Sequence, residues 1–249
     1  MKENKYDNEV FFKKYSCFPR SVKGLNAAGE WHELQKMLPS FSGKRVLDLG
    51  CGFGWHCIYA AEQGAASVTG VDISKRMLAE ASKRTKHQNI TYICNSIEDY
   101  EYPDKAFDVT ISSLAFHYIE QFDSICAKVN KCLVDNGIFV FSVEHPIFTA
   151  HGKQDWVYDE NSNPLHWPVD NYFEQGKRAT TFLGEEVIKY HRTLDTYVNS
   201  LLNAGFSITG LVEPKPAEGL LHSVPGMADE LRRPMMLLVL AQKINRCKA

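Results

Sequence analysis

From residue 41 to residue 144, short apolar runs alternate with segments whose apolar residues recur every three to four positions. Lys44–Leu49, Ser67–Val71, Ile90–Cys94, Phe107–Ser112 and Ile138–Val143 have the length and content of strands. Trp55–Gln63 reads as a helix ended by Gly64. Lys75 to about Thr85 reads as a helix capped by Ser74, and Ile119–Val134 as one ended near Asn136-Gly137. Strands alternating with helices predict a mostly parallel sheet with right-handed crossovers.

The flanks behave differently. Phe11, Phe12 and Tyr15 have helical spacing, and Trp31–Leu38 forms a second helical segment stopped by Pro39. After Glu144 the periodicity is lost. Residues 145–192 are aromatic, polar and broken by turns, which is the character of a lid or binding loop. Periodicity returns with a helix at Thr193–Asn203 and strands at Phe206–Glu213 and Met235–Gln242. Between those strands, residues 214–234 carry four prolines and one short helical stretch near Met227–Leu231. A helix-poor link cannot make a parallel crossover, so the last strand is expected to run antiparallel. The expected fold is α/β: a Rossmann-like, seven-stranded, mostly parallel sheet with helices on both faces. Residues 1–40 form a helical flap, 41–144 and 193–249 the cofactor-binding core, and 145–192 a lid insertion that contacts the acceptor.

Composition narrows the function classes. The 249 residues are 44% apolar, enough for a large core, and the formal net charge is −2. No basic block marks a nucleic-acid or anionic-membrane surface. No apolar run is long enough to span a bilayer, and Met1-Lys2-Glu3-Asn4-Lys5 lacks a signal-peptide core. The expectation is a cytoplasmic protein, monomeric or homodimeric. Seven cysteines without a Cys-x-x-Cys pair read as reduced thiols, and the histidines lack metal-ligand spacing, so no metal is expected.

The chemistry is concentrated in Val46-Leu47-Asp48-Leu49-Gly50-Cys51-Gly52-Phe53-Gly54 and, 20 residues on, Val71-Asp72. A strand entering a glycine turn and helix, then a second strand tipped by a carboxylate, is a nucleoside-cofactor frame. The third glycine of a dinucleotide fingerprint is replaced here by bulky Trp55. Asp48 would repel a pyrophosphate and attract an ammonium. The pattern therefore favours a phosphate-free cofactor that carries a nucleoside and a cation.

On these residues the chain resembles the class I S-adenosylmethionine-dependent methyltransferases, in the branch of small-molecule and ubiquinone/menaquinone-type enzymes. Phe107-Asp108-Val109 and Leu133-Val134-Asp135-Asn136-Gly137 match the fourth and fifth strand motifs, with Asp135-Asn136 departing from the usual proline and glycine. The resemblance implies S-adenosyl-L-methionine as cofactor. Gly50, Gly52 and Gly54 would admit its methionine part, Asp48 would orient its ammonium, and Asp72 would hold the ribose hydroxyls. Ile73 and Met77 would pack on the adenine, Ile97 would offer it a backbone N–H, and Ser113 would lie nearby at the tip of the fourth strand. Ser96 occupies the position where the family usually carries an acid.

Methyl transfer by direct displacement chiefly requires alignment and exclusion of water. The acceptor belongs beyond the fourth and fifth strands. His117 is the candidate general base there, with a capping or packed histidine as the alternative. Tyr15, Tyr118, His145, Tyr172 and His191 are candidate acceptor contacts. The Asn/Asp-Pro-Pro-Tyr/Phe motif of amino-group methyltransferases acting on DNA is absent. The expected function is methyl transfer to oxygen or nitrogen of a small molecule. The alternatives are a non-catalytic cofactor-binding regulator and an NAD-dependent dehydrogenase.

Overall fold

The computed structural model describes residues 4–245, so Cys247 and the first three residues lie outside it. Its strands are β1 (Arg45–Leu49), β2 (Ser67–Asp72), β3 (Ile90–Cys94), β4 (Phe107–Ser113), β5 (Leu133–Glu144), β6 (Val157–Tyr158), β7 (Pro164–His166), β8 (Gly176–Phe182), β9 (Glu185–His191), β10 (Phe206–Val212) and β11 (Met236–Lys243). The helices are α1 (Glu9–Ser16), α2 (Pro19–Lys23), α3 (Trp31–Met37), α4 (Trp55–Glu62), α5 (Lys75–Arg84), α6 (Phe122–Cys132), α7 (Pro146–Ala150), α8 (Leu194–Asn203) and α9 (Glu218–Ser223).

Seven strands form one sheet in the order β10-β11-β5-β4-β1-β2-β3. The pairs β1–β2, β2–β3, β1–β4 and β4–β5 are parallel, and β11 is antiparallel to both β5 and β10. This is the expected Rossmann-like arrangement with an antiparallel last strand. Alternation along the central strands sends side chains to two apolar layers. Phe139 and Phe141 of β5 join Phe116, Phe122, Tyr197 and Phe206 on the face covered by α6 and α8. Between them, Val140 points to the other face, against Trp31 and Leu34 of α3. Burial of these rings supplies much of the folding drive, because each large side chain leaves water at roughly 25 cal/mol per Å² of apolar surface.

Three elements differ from the sequence reading. The predicted helix from Ile119 starts only at Phe122, because Phe116–Tyr118 turns as a 3-10 segment that buries Phe116. Strand β5 begins at Leu133, five residues early, and accommodates Asn136 (φ +62°) through a register shift against β4. The 145–192 segment is more ordered than aperiodicity suggested. It contains α7, the short β6–β7 pair, and the β8–β9 hairpin, whose turn at Leu183-Gly184 has φ of +55° and +75°. Two consecutive positive φ values match the twist of a tight hairpin. Among the described residues, no helix is long and apolar enough to cross a membrane. The six described cysteines are free; Cys51, Cys57, Cys126 and Cys132 are buried, and Cys17 and Cys94 are exposed.

Candidate active site

A cavity of about 1090 Å³ opens over the carboxyl ends of β1, β2, β4 and β5. That is where a doubly wound sheet presents its loops. The N-terminal segment and the β8–β9 hairpin supply the rest of its wall, including Tyr6, Tyr15, Phe18, Phe182 and Lys189.

At the β1–β2 end, the glycine turn lies against the cavity. Gly50 has φ +74°, and a Cβ there would sit 2.5 Å from the Cβ of Ala115. Backbone N–H groups of Gly50 and Cys51 donate to the carbonyl of Val71, which fixes the turn onto β2. Asp72 takes one N–H on each oxygen, from Gly52 at 2.9 Å and from Ser74 at 2.8 Å. Each carboxylate oxygen keeps a lone pair for a further donor. Burial pushes the Asp72 carboxyl up to about 6, opposed by those two N–H groups. Ile73, Met77, Ser96, Ile97 and Ser113 also line the cavity.

Asp48 and Gly54 are not among the lining residues. Asp48 is buried under the turn, where Oδ2 accepts from the Cys57 thiol at 3.2 Å and Oδ1 has no hydrogen-bond partner among the described residues. Burial pushes its carboxyl up to about 7. Gly54, with φ +74°, faces Tyr92; a Cβ there would lie 2.2 Å from the phenol oxygen. Its glycine is required by packing below the turn. Ser96 is committed to Asp99, donating to its carboxylate at 2.9 Å and accepting its N–H at 3.0 Å. A carboxylate therefore does reach this corner, three residues later than the family pattern suggested, and Asp99 lines the cavity.

At the β4–β5 end, His117, Tyr118 and Glu144 line the cavity with Tyr15. His117 Nδ1 accepts from the Glu144 N–H at 3.4 Å. Burial pushes the imidazole down to about 4; Glu144 opposes this, and the cations Lys189, Arg192 and Arg20 add to it. An imidazole that holds protons so weakly is poorly suited to accept one at neutral pH. Burial alone would raise the Glu144 carboxyl, but His117, Lys189 and two hydrogen bonds hold it below its usual range.

Three candidate acceptor contacts lie off the cavity, for identifiable reasons. His145 caps α7 by accepting the Ile147 N–H at 3.1 Å, and its Nε2 lies 2.8 Å from Glu213. His191 is fully buried between the Thr149 hydroxyl and the Tyr172 carbonyl, both at 2.8 Å. The Tyr172 hydroxyl accepts from the Leu194 N–H at 3.0 Å. His191 ties two parts of the insertion together, and His145 and Tyr172 fasten the insertion to the core. Arg192 does the same for the loop after β4, donating to the carbonyls of Phe116, Ile119 and Glu120.

The structure adds cavity residues that the sequence did not single out. Arg20 donates to Glu30 at 3.2 Å and to the Ser113 hydroxyl at 3.4 Å, and that hydroxyl in turn donates to Glu30 at 3.1 Å. Lys189 pairs with Glu144 at 2.5 Å. These partners are 10 to 93 residues apart in sequence, so no local spacing could have revealed them. A Pro-preceded arginine in an aromatic segment was the one available signal.

The Asp72 carboxylate, the small-residue turn and the apolar Ile73, Met77 and Ile97 suit a nucleoside with a cationic tail. The unpartnered Asp48 oxygen lies just below.

Comparison with known proteins gives the same picture. A family model for the methyltransferase domain matches residues 47–141. An uncharacterized protein of Haemophilus influenzae is 34% identical over 254 residues, covering 97% of each chain. A Listeria monocytogenes structure assigned as an S-adenosylmethionine-dependent methyltransferase is 58% identical, covering 88% of this chain and 99% of that one, with TM-score 0.84. A Mesorhizobium loti S-adenosylmethionine-dependent methyltransferase is 41% identical, covering 88% of this chain and 100% of that one, with TM-score 0.82.

Proposed function

The chain belongs to the class I S-adenosylmethionine-dependent methyltransferases, and on that premise we propose that its acceptor is a small molecule methylated on oxygen or nitrogen. The observation that carries this reading is the single cavity of about 1090 Å³, which spans both halves of the sheet's carboxyl edge. It exceeds the usual upper range for one small ligand. Residues 1–40, described from residue 4, act as a flap and 145–192 as a lid, and the described part of each contributes wall to that cavity. With a net charge of −2, the protein offers no charge-based grip on a nucleic acid.

Bound S-adenosylmethionine supplies an electrophilic methyl group. The chain's own residues bind, align and exclude water. Asp72 accepts the ribose hydroxyls by charge-assisted hydrogen bonds. Gly50 and Gly52 let backbone face the methionine part without side chains in between. Ile73, Met77 and Ile97 hold the base, with Ser96 and Asp99 at its polar edge. Asp48, one layer deeper, supplies a negative potential beneath the ammonium. Tyr6, Tyr15 and Phe182 close the cavity against water.

A thermal-shift assay tests the cofactor half of this reading: S-adenosylhomocysteine should raise the melting temperature and NAD should leave it unchanged. Methyl-transfer screening of a metabolite library then tests the acceptor half. Turnover confined to protein or nucleic-acid acceptors would overturn the small-molecule assignment.

A further inference from the structure

The cavity end beneath the β8–β9 hairpin has unbalanced hydrogen-bonding groups. Its carboxylate, Glu144, takes one donor on each oxygen, the Lys189 ammonium on Oε1 at 2.5 Å and the Gln154 amide on Oε2 at 2.8 Å, and its charge is matched by that ammonium. Gln154 Oε1 accepts from Lys189 and from Thr180, both at 2.9 Å. Glu30, the neighbouring carboxylate, is buried under Arg20 and Ser113, which both bond Oε1; its Oε2 has no partner among the described residues, but Glu30 does not line the cavity. Glu120 stands on the exposed rim.

Donors, by contrast, are left over. An ammonium has three N–H groups, and Lys189 has two hydrogen-bond acceptors among the described residues, besides the Phe182 ring 5.8 Å from its Nζ. It is 3% exposed and lines the cavity. His117 uses Nδ1 as an acceptor, so the proton of the neutral ring resides on Nε2, where no protein partner is found among the described residues. With the Glu144 charge already paired to Lys189, such a site disfavours a cationic amine and suits a ligand that brings its own acceptor oxygens.

We propose that the methyl acceptor is the ionised carboxylate of an apolar-bodied acid, with one oxygen held by Lys189 Nζ and His117 Nε2 and the other methylated. This rests on the small-molecule methyltransferase reading and names its substrate class. Tyr15, Phe18, Phe148, Phe182 and Val187 form the wall around the apolar body. The second carboxylate oxygen forms a bond to the methyl carbon as the sulfur–carbon bond breaks, and the electron pair of that bond stays on sulfur. The negative carboxylate and the positive sulfonium become a neutral methyl ester and a neutral thioether, and no proton is released. A hydroxyl or ammonium acceptor would have to lose a proton. The groups here, a neutral imidazole pushed down to about 4 and a carboxylate held below its usual range, are weak acceptors for it. His117 is thus a donor that positions the acceptor, and the general-base role expected from the sequence is replaced.

The test uses matched straight-chain and aryl skeletons, each as acid, amide, alcohol and amine, with thioether formation and product mass as readouts. At saturating S-adenosylmethionine, methyl esters should form from the acids, with kcat/KM for the acid flat from about pH 6 to about pH 9, where a carboxylate is fully ionised. Lys189→Met and His117→Phe should each raise KM for the acid about tenfold, the loss of one charge-assisted hydrogen bond. His117→Asn, which keeps an N–H donor, should recover much of it. Calorimetric titration of the acid into enzyme saturated with S-adenosylhomocysteine should give the same order of affinities without turnover. Methylation of the alcohols or amines with the acids inert overturns this proposal and leaves the small-molecule reading intact, as does kcat/KM rising tenfold per pH unit. Neither binding nor methylation of any skeleton overturns both.

Discussion

Replacing Asp48 by asparagine should stabilise the ligand-free protein at alkaline pH and leave it level or less stable at acid pH. The carboxyl is 1% exposed, has one thiol donor at 3.2 Å and has one unpartnered oxygen. Burial therefore disfavours its charged form, raising it from 3.8 to about 7. In the unfolded chain it ionises near 3.8. Between these values the folded state binds more protons than the unfolded one, so stability falls as pH rises through that window. Integrated from about pH 4 to about pH 8, the loss is about 3 to 4 kcal/mol. Asparagine does not titrate, but its amide leaves one buried donor unpaired, at about 1–3 kcal/mol. The variant should thus be level with or below the parent at about pH 4 and above it by about 1–3 kcal/mol at about pH 8. Urea unfolding of both proteins at matched pH values measures this, and titrating groups remote from Asp48 cancel in the difference. A gap between the two that stays constant with pH would refute the reasoning. The same variant should bind S-adenosylhomocysteine more weakly if, as proposed, Asp48 supplies the potential beneath the ammonium.

Asp72→Ala should weaken S-adenosylhomocysteine binding by about 1.5–3 kcal/mol, read by calorimetry, through loss of charge-assisted hydrogen bonds; unchanged affinity would mean the β2 tip does not hold the ribose. Parent affinity should also decline below about pH 6, where the Asp72 carboxyl takes up a proton. Gly50→Ala forces a side chain into φ +74° and to 2.5 Å from the Ala115 Cβ, so its melting temperature should fall by the equivalent of about 1–3 kcal/mol. Gly29→Ala, with nothing within 4 Å, is the control and should be near neutral. Arg233→Met removes a guanidinium that lies 4.0 Å from the Trp167 ring and 4.7 Å from the Phe148 ring. It should cost about 1–2 kcal/mol and speed proteolysis within residues 145–192.

The alternation of residues 41–144 made the sheet legible before any coordinates, because parallel strands buried on both faces are written as short apolar runs. The glycine turn and Asp72 were legible for the same reason: a close backbone approach and a strand-tip carboxylate are local features at fixed spacing. Ser96 illustrates the boundary. Its identity was plain, but its link to Asp99 depends on how the turn after β3 closes. The β8–β9 hairpin escaped because only Gly184 punctuates it and its strands alternate weakly, with Lys189 and His191 at buried positions.

The sequence by itself thus determined the fold and the cofactor class, and pointed to most of the residues that line the proposed cofactor end, since those reside in contiguous motifs. Only the tertiary structure decided the rest. It moved Asp48 and Gly54 below the cavity, turned His145, Tyr172 and His191 into fasteners, and brought Lys189 to Glu144 across 45 residues. Which face a side chain presents, and which distant partner consumes its hydrogen bonds, is settled when the insertion packs onto the sheet edge. That packing leaves no periodic trace in the chain.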